Sequence, residues 1–170
     1  SAPNGVNQTP ISQKLVFMEE GINFYDDELL QIEKTNGIFA IQLDERRIAS
    51  KATLRKTRGN LGRRNILFAW AGLVWNQVRH IAELLDMNNR YAWSTQTLGT
   101  DFDGIIDPIN GYWTAADMDD LDDFLLMHAF NYINGIKEPC PLQLSQNRNI
   151  KAEEIVDKVM TGNALRFLSM

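Results

Sequence analysis

The chain has 170 residues, of which 44% are hydrophobic and 23% charged, and its formal net charge is −5. That length suits one domain with a single core, and that balance excludes a globally disordered chain. The one cysteine, Cys140, can make neither an internal disulfide nor a cysteine-based zinc cluster, so a reducing, cytoplasmic compartment is expected.

Residues 1–13 are uncharged and carry Pro3, Gly5 and Pro10. Such a composition predicts a flexible N-terminal arm ahead of a single domain over 14–170. No basic segment followed by an apolar run marks a secretory leader there. Ser12 is placed to cap a short helix reaching Glu20, and residues 24–34 predict a second helix, stopped by Asn36-Gly37. The apolar run 38–43 suits either a short strand or a buried helical turn. Residues 44–56 read as one polar helix, with Gly59-Asn60-Leu61-Gly62 as the turn after it.

Residues 63–86 form the strongest predicted element. They are apolar on nearly every face over 66–75 and amphipathic through Val78, Ile81, Leu84 and Leu85, which requires a central buried helix. The apolar part falls well short of the ~20 residues that span a bilayer, so no membrane partner is expected. Asn88-Asn89 ends the helix, and residues 90–111 predict a long ordered loop anchored by Trp93, Phe102, Ile105 and Ile106. Thr114 with Asp117 makes a capping-box start for a helix whose inner stripe is Met118, Leu121, Leu125, His128 and Tyr132, closed by Asn134-Gly135. Asn149 is expected to cap a last helix with Ile155, Val156 and Val159 inward, ended by Thr161-Gly162. The fold class is therefore mainly α: a single-domain helical bundle around one buried helix, with at most a minor β element.

Charge is unevenly spread along this chain. Eight cations (Arg46, Arg47, Lys51, Arg55, Lys56, Arg58, Arg63 and Arg64) fall in a stretch of nineteen residues that contains no acid. Eight aspartates then occupy 101–123 without a base. Guanidinium and ammonium groups beside a glycine-rich turn are what phosphate oxygens need, because bidentate bonds and backbone N–H groups can converge there. A solvated helix face also collects such residues, but the lack of interleaved acids removes its usual i,i+4 pairs. No aromatic residue interleaves with these cations in sequence, so the segment itself implies no base stacking.

No catalytic constellation competes with this reading. The 59–64 turn lacks the Lys-Ser/Thr pair of a P-loop, and no GxGxxG follows a strand. His80, His128 and Cys140 stand at no metal-binding or nucleophile spacing and read as structural. The 101–107 aspartates fail as a calcium loop, because Gly104 comes two positions early and Tyr112 stands where the bidentate glutamate belongs. Asp117, Asp119, Asp120, Asp122 and Asp123 suit the positive end of a helix dipole. Neither an enzyme nor a cofactor is expected, and the one enzymatic alternative that loop spacing leaves open is divalent-metal chemistry on Asp101, Asp103 and Asp107. Trp70 and Trp75 read as core, while Trp93 and Trp113 are open to either a core or a binding role.

The run Trp70-Ala71-Gly72-Leu73-Val74-Trp75-Asn76, preceded by Arg64, resembles the central segment of the coat proteins of flexible filamentous plant viruses, the potexviruses and their relatives. Asn88-Asn89, Trp93 and Phe102-Asp103-Gly104 follow in an order similar to that family's, and residues 157–162 resemble its C-terminal segment. Gly72 stands where that family has proline. The resemblance implies a helical subunit whose arm docks on a neighbouring copy and which polymerises around single-stranded RNA, with Arg64 and Asp103 near the RNA. The expected function is thus a self-assembling, RNA-coating structural protein of a virion, binding through Arg55, Lys56, Arg58, Arg63, Arg64 and Asp103. The competing reading is a non-polymerising adaptor or regulatory domain of phage or plasmid origin that docks on nucleic acid or an acidic protein.

Overall fold

The apolar run 66–75 has no polar face to give to water, and the remaining elements are arranged around it. A computed structural model describes Phe17 and residues 24–170. The arm of residues 1–13 and, apart from Phe17, the helix expected over 12–20 lie outside the described residues. In chain order the elements are α1 (Asp26–Lys34), β1 (Phe39–Gln42), α2 (Glu45–Ile48), α3 (Lys51–Arg58), α4 (Arg63–Met87) and β2 (Gln96–Gly99). A 3-10 turn (Ala115–Asp117) then leads into α5 (Met118–Ile133), α6 (Ser145–Arg148), α7 (Ala152–Asp157), a π turn (Lys158–Gly162) and α8 (Asn163–Leu168). The fold is mainly helical, as expected. Among the described residues no helix is long and apolar enough to cross a membrane.

Helix α4 is the hub. Leu67, Trp70, Ala71, Val74, Val78 and Leu85 are all buried along it, and it packs on α5 through Leu121, Phe124, Leu125 and Tyr132. The Trp75 ring stacks on Trp93 with centroids 6.4 Å apart and meets Tyr132 edge-on at 5.6 Å, joining α4, the segment after it and α5. Gly72 leaves room for the His128 ring of α5, since a Cβ there would sit 3.1 Å from Cε1 of His128. The His128 ring in turn stacks on Phe68 at 4.1 Å, and its Nε2–H donates to the Phe68 carbonyl at 2.9 Å. Burial of the ring, with the Lys137 ammonium nearby, holds His128 below the ordinary imidazole range in spite of that bond.

Tertiary contacts overrule the local reading at three places. Residues 44–56 are not one helix. Ala49 is extended at φ −158°, and the Ser50 Oγ accepts from Thr53 N–H to start α3 afresh. The break buries Ile48 and Ala49 and lets Gln77 Nε2 donate to the Ile48 carbonyl at 2.9 Å. Residues 90–111 are not loop throughout, because 96–99 pairs in parallel with β1 in the register Phe39↔Gln96 to Gln42↔Gly99. The pairing also settles the 38–43 run as a strand. A parallel pair needs a crossover of a dozen residues or more, and α2, α3 and α4 supply it. The last helix starts at Ala152 after Lys151, not at Asn149, and continues through Gly162 to Leu168. Buried Asn163 explains the continuation: its Nδ2 donates to the carbonyls of Trp93 and Gln96, at 3.1 and 2.7 Å, which ties α8 to β2.

A polar knot joins the end of α4 to the 140s. Asp86, buried at 4% exposure, accepts from the backbone N–H of Gln143 and Leu144 and from Asn147 Nδ2. Asn147, fully buried, also donates to the Arg90 carbonyl and accepts from Ala92 N–H, so its amide is fully paired. Asn147→Ala leaves the Ala92 donor and one Asp86 oxygen short of partners, at about 1–3 kcal/mol for each group, so the urea midpoint should fall markedly. Gln146→Ala, at the exposed position next to it, should leave that midpoint almost unchanged.

His128 gives a pH dependence of defined sign. Its folded pKa lies below its unfolded one, near 6.5, so the folded state resists protonation. The contribution is fully present above about pH 6.5 and is lost as pH falls toward the folded value. Comparing urea midpoints of the wild type and His128→Gln between neutral and mildly acidic pH should show a steeper acid loss in the wild type, the difference isolating this ring from other titrating groups.

Candidate functional site

The N-terminal end of α2 positions the site. Asp44, at 2% exposure, caps the helix by accepting from Arg46 N–H at 2.7 Å. The same carboxylate holds the Arg46 guanidinium through Nε at 3.0 Å and Nη2 at 2.5 Å. Burial by itself would raise the Asp44 carboxyl, but these bonds and the positive charge hold it below the usual carboxylate range. Two backbone hydrogen bonds, which together form an antiparallel bridge between Asp44 and Pro108, then fasten the 107–109 segment alongside. Glu45 N–H donates to the Asp107 carbonyl at 2.8 Å, and Ile109 N–H donates to the Leu43 carbonyl at 2.9 Å.

Between α2–α3 and this segment runs an open groove of about 920 Å³. Its α2–α3 side carries Arg46, Arg47, Lys51, Arg55 and Arg58, and its other side Ile106, Asp107, Pro108 and Trp113. Arg46 also reaches Asp107 at 3.3 Å, and Arg58 pairs with Glu45. Arg47, Lys51 and Arg55 have no ion pair among the described residues.

Trp113 is 58% exposed, yet its backbone is firmly set. Its N–H and that of Thr114 both donate to Asp117 Oδ2 at 2.9 Å, the pairing expected of a capping box, and these bonds hold the Asp117 carboxyl low. On the other side, buried Tyr112 donates from its hydroxyl to the Leu67 carbonyl at 2.9 Å, and burial pushes its pKa up. Gly111 adopts φ +91°, and a Cβ there would collide with Cδ2 of Leu67, so only glycine lets the turn rest on α4.

The expected binding residues are divided by the fold. Arg55 and Arg58 line the groove. Lys56 is exposed on α3 outside it, and Arg64 is exposed in the first turn of α4. Arg63 pairs with Asp120 at 2.9 Å. Asp103 is exposed at φ 71° in the segment after β2 and does not reach the groove. The glycine-rich turn offers less than expected, since the amides of Gly59 and Asn60 already donate to the carbonyls of Lys56 and Thr57. Among the described residues no group of three or more His, Cys, Asp or Glu is placed to hold a metal ion.

Sequence reasoning placed Arg46, Arg47 and Lys51 in the basic run but not among the expected site residues, left Trp113 open between a core and a binding role, and missed Ile106 and Asp107 there. No local signal marks the exposure of Trp113, because an apolar residue directly before a capping box often packs on the helix's first turn. The two undecided tryptophans separate cleanly: Trp93 is fully buried with Nε1 donating to the Asn147 carbonyl at 3.0 Å, and Trp113 faces the groove. Comparison with protein-family models, with curated proteins and with solved structures gives no match to the chain.

The contrast yields a stability test. Trp93→Ala should cost ~3–5 kcal/mol, the penalty for deleting a large buried aromatic. Trp113→Ala should stay within about 0.5 kcal/mol of the wild type, as exposed positions do. Denaturation midpoints of the two variants measured side by side check both values.

Proposed function

We propose that the chain is a self-assembling structural protein that binds single-stranded RNA in the groove between α2–α3 and residues 106–113. The observation that carries this reading is the juxtaposition of Arg47, Lys51 and Arg55 with an exposed tryptophan on the opposite side of one groove. Cations that follow a strand's phosphates, combined with an aromatic face on which a base stacks, make a sequence-tolerant single-strand site. Arg64 and Asp103 enter the reading only through the resemblance to filamentous coat proteins, which also supplies the virion setting and the docking role of the arm. Exposed apolar side chains on α5, Met127 and Phe130, and on α8, Leu165 and Leu168, provide area for contacts between copies. The adaptor reading uses the same groove and differs in remaining monomeric.

Binding to a labelled single-stranded RNA should weaken steeply with salt, with a log–log slope near −0.7 for each phosphate neutralised. Lys51→Gln combined with Arg55→Gln should make that slope shallower by roughly 1.4, whereas Arg148→Gln with Lys151→Gln, outside the groove, should change it little. Equal effects from the two pairs would mean diffuse attraction, and no binding at low salt would remove the RNA reading. Negative-stain images with and without RNA test the assembly half: filaments or rings support it, and single particles in both samples favour the adaptor.

A further inference from the structure

The two sides of the groove differ in kind. The α2–α3 side holds all of its cations, whereas the 106–113 side holds Ile106, Asp107, Pro108 and Trp113 and no cation. A phosphate gains nothing from that second side and is repelled by Asp107. A strand in the groove therefore turns its phosphates toward α3 and its bases toward residues 106–113. Asp107 is half-exposed, and its carboxylate accepts no hydrogen bond among the described residues. Its one polar contact there is Arg46 Nε at 3.3 Å, and Arg46 is itself held by the shorter bonds to Asp44. The backbone of Asp107 is fixed by Glu45 N–H, so the carboxylate stands on a fixed support in the groove that Trp113 also lines.

Resting on the RNA-binding reading, we infer that Asp107 reads the edge of a base stacked on Trp113 and selects guanine. A carboxylate is acceptor-only, with two oxygens side by side. Guanine alone presents two adjacent donors on its Watson–Crick edge, N1–H and the N2 amino group. Adenine and cytosine place an acceptor ring nitrogen next to their amino group, and uracil flanks its N3–H with two carbonyl oxygens, so each sets an acceptor against the carboxylate. Single-stranded RNA is the form in which that edge is free while the base face stacks on an aromatic side chain.

The test uses the full chain and short labelled oligouridylates that carry one central guanosine, adenosine, cytidine or uridine, at one fixed salt concentration. The guanosine oligomer should bind about tenfold more tightly than the other three, the discrimination of a bidentate base contact. Asp107→Asn removes a negative charge from the groove and one acceptor from the edge, so all-uridine affinity should rise while the guanosine advantage disappears. Asp107→Ala, with its melting temperature checked against the wild type, should lose the advantage as well. Equal affinity for all four oligomers, or a guanosine advantage that survives both substitutions, overturns the inference and leaves RNA binding standing. GTP alone binding as tightly as the guanosine oligomer overturns it in favour of a nucleotide site. Failure to bind even all-uridine RNA removes the RNA-binding reading and this inference together.

Discussion

The Leu43 carbonyl and the Glu45 N–H hold the 107–109 segment by backbone hydrogen bonds, and the groove exists because they do. Asp44 contributes twice, once as the buried cap of α2 and once as the clamp on Arg46. Without the cap α2 has no fixed start, and without the backbone pairing residues 106–113 have no reason to lie across from α3. The site is thus an outcome of strand-end chemistry: β1 runs out at Gln42, and the Leu43 carbonyl and Glu45 N–H bond a distant segment instead of a longer sheet.

Parts of this architecture were legible in the sequence because they are local. The all-round apolarity of 66–75 could only mean a buried helix, and the Thr114–Asp117 spacing marked the start of α5. The missed parts depend on partners far along the chain. Residues 96–99 become a strand because β1 is there to pair, in a four-residue segment that carries no strong β signal. Asn163 draws the last helix past Gly162 by bonds to residues some seventy positions earlier. The site was half-read for the same reason. The cations are clustered in sequence and visible, whereas Ile106, Asp107 and Trp113 join them only once the segment folds back.

The charge pattern also changes meaning in three dimensions. The basic run contains no acid, yet Arg46, Arg58 and Arg63 find Asp44, Glu45, Asp107 and Asp120 outside it. Exposed pairs of this kind add little stability, but they hold guanidinium groups in place. What remains in the groove is a division of labour between fixed guanidinium groups on Arg46 and Arg58 and the charge of Arg47, Lys51 and Arg55, which form no ion pair among the described residues. Five cations face two carboxylates there, so the groove is positive by three on a chain whose net charge is −5. An average charge is therefore a poor guide to what the protein meets at this edge.

The turn at Gly111 carries a mechanical consequence. It rests on Leu67 with no side chain of its own between, and the Tyr112 hydroxyl is bonded to the carbonyl of that same leucine. Leu67 is buried in the core, while Trp113, two residues beyond the turn, forms the lip of the groove. Core and lip thus share one tolerance, with no compliant layer to absorb a change in either. A larger or smaller side chain at position 67 would be transmitted as a wider or narrower groove, so the spacing between the tryptophan and the cations is gauged from inside the molecule.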